Sequence, residues 1–132
     1  MKLKSYLDYG MFQPVQIAAT VTLNEAADFP QEVCATYQNR RDALIEGLDR
    51  IGWHVPTPGG SMFVWAPIPE AYAEMDSVEF CSLVVRDADV ALSPGVGFGP
   101  GGEGFARFAL IENEKRIAQG VRNLRRGLPK LG

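Results

Sequence analysis

Histidine occurs once in this 132-residue sequence, as His54. A lone imidazole with no Cys, Asp or Glu cluster beside it makes no metal site. There is no second histidine to spare for a Ser-His-Asp system. Ser61, in GGSMF, also lacks the second glycine of a GxSxG nucleophile elbow. His54 follows a helix end between Trp53 and Val55 and reads as structural. Lysine is scarce as well: Lys2, Lys4, Lys115 and Lys130. None stands in apolar surroundings that would depress an amine pKa, so no catalytic amine is expected. No carboxylate pair stands out for acid–base work, and Glu70, Glu74 and Asp76 read as exposed loop charges. The two cysteines, Cys34 and Cys81, are far apart and outside any CxxC pattern. Each reads as a small buried apolar residue on a helix, which suits a reducing compartment.

Long apolar runs are missing too. None approaches a membrane span, and MKLKSYLDYG lacks the apolar core of a signal peptide. The expectation is a soluble cytoplasmic protein with no membrane partner. The net charge of −3 provides no broad basic field for nucleic acid. Arg122, Arg125 and Arg126 read as the solvated last turn of a helix, where cations suit the macrodipole.

What is present is patterned. The length suits one domain. Residues 2–9 read as a short helix ended by Gly10. Pro14 opens a second helix over about 14–26, whose apolar residues spread around its axis. Such a helix wants a partner surface. The third helix starts at Asp28 as N-cap, with Gln31 completing a capping box and Pro30 in the first turn. Val33, Tyr37, Leu44, Ile45, Leu48 and Ile51 recur along it at helical spacing, and Gly52 suits the C′ position. Gln38, Asn39, Arg40, Asp42 and Asp49 read as its solvated side.

A turn, PTPGG, leads into a strand at 61–67. After a loop, Ser77 caps a helix over about 78–86 that buries Phe80, Cys81, Val84 and Val85. DVALSP (89–94) reads as a strand, a glycine-rich loop spans 95–104, and another strand follows. Asn113 caps a last helix, about 114–127, with Ile117, Val121 and Leu124 on one stripe. The order predicts an α+β fold: a small, mainly antiparallel sheet with helices packed on one face.

Two features bear on chemistry. Gly97 to Gly102 formally matches GxGxxG, but a strand follows it where a dinucleotide site needs a helix. The loop is either a plain connection or a place of close backbone approach. In the strand beyond it, Phe105, Arg107, Ala109 and Ile111 share a face by the two-residue period. Arg107 either points to solvent or, if that face is covered, needs an anion, since an unpaired buried charge is costly. A carboxylate matches its planar fork best. Glu103, Glu112 or a ligand would supply it.

Tyr37, Arg40, Arg41, Asp42, Leu48, Gly52, Pro58 and the run Gly60 to Trp65 resemble the C-terminal part of class I/II, fold-type I, pyridoxal-phosphate aminotransferases. VALSPGVGFGPGGEGFARFALIENEKRI and SYLDYGMFQPVQIAA strengthen the resemblance, which spans nearly the whole chain. The wording RFALIEN is most similar to the bacterial alanine (glutamate–pyruvate) branch, with the diaminopimelate, aspartate and methionine enzymes close. The resemblance implies that Arg107 grips the α-carboxylate of an amino-acid or 2-oxo-acid substrate. It implies that Phe63 lines the same cleft. It divides the chain into a helical segment, 1–28, that packs on a missing large domain, and a small domain, 29–132. The parent would be a homodimer using pyridoxal 5′-phosphate.

The family's Schiff-base lysine, its pyridine-nitrogen aspartate and its phosphate cup lie upstream of the matched region. No catalytic, cofactor-binding or metal-binding residue is therefore assigned, and the chain is expected to be inactive alone. Two other readings stay open. One is the ligand-sensing domain of a transcriptional regulator, though no helix-turn-helix is present. The other is a non-catalytic assembly module.

Overall fold

The computed structural model describes residues 3, 6, 7 and 10–131. The helix expected over 2–9 lies largely outside these, as do Lys2 and Lys4; Leu3, Tyr6 and Leu7 are helical. The chain falls into two compact units, the first ending at Cys34 and the second beginning at Ala35.

The first unit carries helix α1, Gln13–Glu25, with Pro14 in its first turn. Proline suits that position because its missing N–H would have no intrahelical partner there. Thr20 and Thr22 turn their hydroxyls back onto the carbonyls of Gln16 and Ala18, at 2.9 and 2.8 Å. No residue of α1 is buried, and Val15, Ile17, Val21 and Leu23 are exposed. Helix α2, Phe29–Asp49, starts in this unit and ends in the next. The Asp28 carbonyl accepts from the Gln31 and Glu32 amides at its start. Cys34 is exposed, contrary to its reading as a buried residue. It precedes the stretch of α2 that carries the core leucines.

At its C-terminus α2 ends in a Schellman motif. The Trp53 amide bonds the Leu48 carbonyl and the Gly52 amide bonds that of Asp49, both at 3.0 Å. Gly52 sits at φ 81°, the left-handed position that glycine adopts without a Cβ penalty. The turn throws Trp53 into the core, where its indole N–H donates to the Pro67 carbonyl at 2.8 Å. Trp53 meets Phe80 and Phe108 edge-on at 5.6 and 5.4 Å between ring centres, a geometry that aligns ring edges with ring faces.

The sheet is antiparallel, in the order β1 (Phe63–Pro67), β3 (Phe105–Ala109), β2 (Ser93–Pro94). Val64 opposes Phe108 and Ala66 opposes Ala106. These four are buried and face the helices. The strand expected over 89–94 is reduced to its last two residues, Ser93 and Pro94, which alone pair with β3.

Helix α3, Ser77–Ala88, starts one residue earlier than the sequence suggests. Its N-cap is Asp76, not Ser77. Asp76 accepts from the Val78 and Glu79 amides at 2.9 and 2.8 Å, and Glu79 returns a bond to the Asp76 amide. That reciprocal pairing satisfies the amides that a helix start leaves over. Phe80, Cys81, Val84 and Ala88 form the buried stripe, while Val85 lies on its outer flank and is exposed. Helix α4, Glu114–Gly127, is capped by Asn113 as expected, and buries Val121 and Leu124. Among the described residues, the core side chains come from the second unit: chiefly the sheet's inner face, α2 beyond Tyr37, α3 and α4, with Trp53 and Tyr72 from the connections. The result is the expected α+β layer with helices on one face of the sheet.

Candidate functional site

The period of a strand puts the other residues of β1 and β3 on the outer face. Phe63 opposes Ala109, Trp65 opposes Arg107, and Pro67 opposes Phe105. Ser93 of β2 flanks Arg107 on its other side. Among the described residues of the second unit, no α-helix packs on this face. Trp65 and Phe105 are about two-fifths exposed, and Ile111 more so. Arg107 therefore stands, half-buried, among apolar side chains.

Its guanidinium lies between two rings. The carbon at its centre is 4.1 Å from the centre of the Phe63 ring and 3.9 Å from that of Phe98. A delocalised cation is attracted to the negative face of each ring. Nε is buried and has no hydrogen-bond partner. Nη1 and Nη2 also make no hydrogen bond among the described residues, and they are not buried. The fork thus presents its far edge outward, the edge that two carboxylate oxygens match.

Neither acid offered as an internal partner takes that place. Glu103 is engaged elsewhere: it accepts from the Ser77 amide at 2.6 Å, the Ser77 hydroxyl at 3.1 Å and the Gly104 amide at 3.0 Å. The Gly104 and Ser77 amides hold its carboxyl below the usual value of 4.5, because they favour the charged form. Among the described residues Glu112 makes no ion pair with Arg107 either.

Sequence reasoning missed Phe98. It sits on the glycine-rich loop, which is not a loose connection. The loop folds as two 3₁₀ turns, Gly95–Phe98 and Pro100–Gly102. Its ends touch: a Cβ on Gly95 would lie 1.9 Å from the Gly102 carbonyl oxygen. Ser77, fully buried, accepts from the Val96 amide at 3.3 Å and ties the loop to α3. Phe98 meets Trp65 edge-on at 5.4 Å. Trp65, Phe98, Phe105, Gly101 and Gly102 line a recess of about 380 Å³ beside Arg107. The signal was available as a lone aromatic in GVGFGPGG, but nothing in the spacing says where its ring goes.

The other residues singled out play supporting parts. His54 is exposed and contacts the Asp49 carboxylate. Arg40, read as solvated, is half-buried. It donates to the Leu110 and Ile111 carbonyls at 3.0 and 3.3 Å, tying α2 to the end of β3. Those carbonyls lie just past the strand, where the ladder no longer reaches them. Burial pushes the Cys81 thiol up to about 11, which keeps it protonated and inert. A larger hollow of about 590 Å³ includes Glu112 and Arg116 but not Arg107. Among the described residues no helix is long and apolar enough to cross a membrane.

The second unit is thus a three-stranded sheet backed by helices, with a ring-clamped arginine on the sheet's other face. The chain belongs to the aminotransferase class I and II family, whose profile matches residues 5–124. AatC of Rhizobium meliloti (strain 1021), which carries an aminotransferase name, is 49% identical over 127 residues, 96% of this chain and 31% of its own length. The glutamate-pyruvate aminotransferase AlaC of Escherichia coli (strain K12) is 46% identical over 124 residues, 94% of this chain and 30% of its own. The chain therefore spans about a third of the relatives it matches. An aminotransferase structure from Staphylococcus aureus superposes with a TM-score of 0.88, covering 99% of this chain and 34% of that one, at 24% identity. That likeness is one of fold.

Proposed function

We propose that this chain is the C-terminal part of a longer pyridoxal-phosphate-dependent aminotransferase, and that Arg107 grips the α-carboxylate of its amino-acid and 2-oxo-acid substrates. The observation that carries this is the state of Arg107. Its fork is clamped between Phe63 and Phe98, its outer edge is open, and among the described residues no carboxylate pairs with it. An ion pair made only when substrate arrives uses such a fork fully, because no internal acid has to be displaced. Phe63 forms one wall of the substrate position.

The described residues do not by themselves fit the cofactor. The described lysines, Lys115 and Lys130, are exposed, the latter with its ammonium 5.5 Å from the Tyr72 ring. Neither lines the recess formed by Trp65, Phe98 and Phe105. The cofactor's lysine and its phosphate cup would come from the rest of the protein, and the chain alone is inactive. Residues 1–28 would pack on that missing large domain, with 29–132 as the small domain of a homodimeric parent. The glutamate–pyruvate type is favoured by the match to AlaC.

The test uses the full-length protein. Amino transfer is measured with L-alanine, L-glutamate, L-aspartate, L-methionine and diaminopimelate as donors. Arg107→Ala lowers kcat/KM by about 10²–10³-fold, the usual loss when one partner of a desolvated charge pair is removed. The visible absorbance of the bound cofactor stays intact. Normal turnover in Arg107→Ala would sink the assignment. Absence of amino transfer with every donor would point to the sensing or assembly readings instead.

A further inference from the structure

We infer that Phe98 is a positioning residue for Arg107, and that holding it there is what the glycine-rich loop does. This rests on reading Arg107 as the carboxylate grip. An arginine side chain has many rotamers and loses that freedom on binding. Phe63 restrains Arg107 from one side only, and its own place is set by β1, where it opposes Ala109. Phe98 closes the other side at 3.9 Å.

Phe98 is in turn held by a chain of fixed contacts. Trp65 abuts its ring edge-on at 80°. The Val96 amide is bonded to Ser77, and Gly95 is seated directly on the Gly102 backbone. Gly99, at φ 115°, turns the chain immediately after the ring, a conformation that a side chain would oppose. The loop therefore aims one aromatic side chain at one cation. No phosphate-binding role is needed to account for its glycines.

Rings suit this task better than an acid would. A carboxylate partner would orient the fork but occupy its donors and cancel its charge. Two ring faces restrain the cation while leaving the charge and the Nη1–Nη2 edge to the ligand. Nε, closed off without a partner, is the side that the clamp covers.

The experiment uses the full-length protein, with L-glutamate as donor and pyruvate as acceptor. Phe98→Leu keeps bulk but removes the ring. It should raise the KM for L-glutamate about tenfold and leave kcat within about threefold, the split expected when binding rather than chemistry is weakened. Phe98→Tyr should restore KM to within about twofold of the parent value. Pentafluorophenylalanine at position 98 keeps the ring's shape but reverses its quadrupole, and should raise KM as leucine does. An unchanged KM in either the leucine or the fluorinated protein overturns the clamp. So does a tyrosine variant as poor as leucine. Arg107→Lys separates the two readings. If it raises KM while the Phe98 variants do not, the clamp alone fails. If it leaves KM unchanged, the carboxylate grip fails and takes the clamp with it.

Discussion

Gly95→Ala puts the docking of the glycine-rich loop to a local test. A Cβ at residue 95 would lie 1.9 Å from the Gly102 oxygen, 2.7 Å from the Phe105 oxygen and 2.9 Å from the Gly102 carbonyl carbon. All three are backbone atoms, so no rotamer change relieves the overlap. Reaching ordinary van der Waals contact requires the two ends of the loop to part by roughly 1.5 Å. Overpacking of a close-fitted site costs about 1–3 kcal/mol, and one directed at carbonyls belongs at the upper end. About 3 kcal/mol corresponds to roughly a hundredfold in the equilibrium between docked and open loop. Hydrogen exchange of the loop amides reads that equilibrium directly. Gly99 and Gly102 are suitable reporters, because their amides bond the Val96 and Gly99 carbonyls. Their protection should fall about a hundredfold in Gly95→Ala. Gly97→Ala is the control: its Cβ meets nothing within 4 Å and its φ is ordinary, so protection should hold. Wild-type protection in Gly95→Ala would refute the reasoning that the loop is seated on its own base.

Two further predictions concern ionisable groups. Glu103 is held below the usual 4.5 by the amides it accepts from. Its contribution to loop docking is therefore complete above that value and lost as pH falls through the lowered one. Loop protection, corrected for intrinsic exchange, should drop in that acid window in the parent and stay level in Glu103→Gln; parallel pH profiles would refute the anchor. For the cysteines, exposed Cys34 should react at once with a thiol reagent at pH 8 in the folded chain, while Cys81, pushed up to about 11, should react only after denaturation. Two fast thiols would show that the α3 core is not closed.

Most of the element order was legible in the sequence. Asn113, Gly52 and Pro14 mark helix ends by local chemistry alone, and each stands where that chemistry puts it. The two-residue period of FARFA separated a core face from the face bearing Arg107, and the register bears that division out. Asp76 and Ser77 are both competent caps; Asp76 has Glu79 three residues on to complete its box, and Glu103, 26 residues along, engages Ser77. Arg40 was placed by helical phase and Cys34 by the usual burial of free cysteine. Whether a helix face is covered depends on what packs there, and phase does not encode that.

Local sequence thus determined where this chain turns, which residues start its helices and which strand carries an arginine among apolar neighbours. Those are short-range matters of φ preference, capping and side-chain period, complete within a few residues. Tertiary structure alone decided what surrounds the arginine. Phe63, Phe98 and Arg107 are separated by up to 44 residues and meet only because β1 and β3 pair and the loop folds back on Gly95. That Glu103 does not pair with Arg107 was decided the same way, by Ser77 engaging the carboxylate.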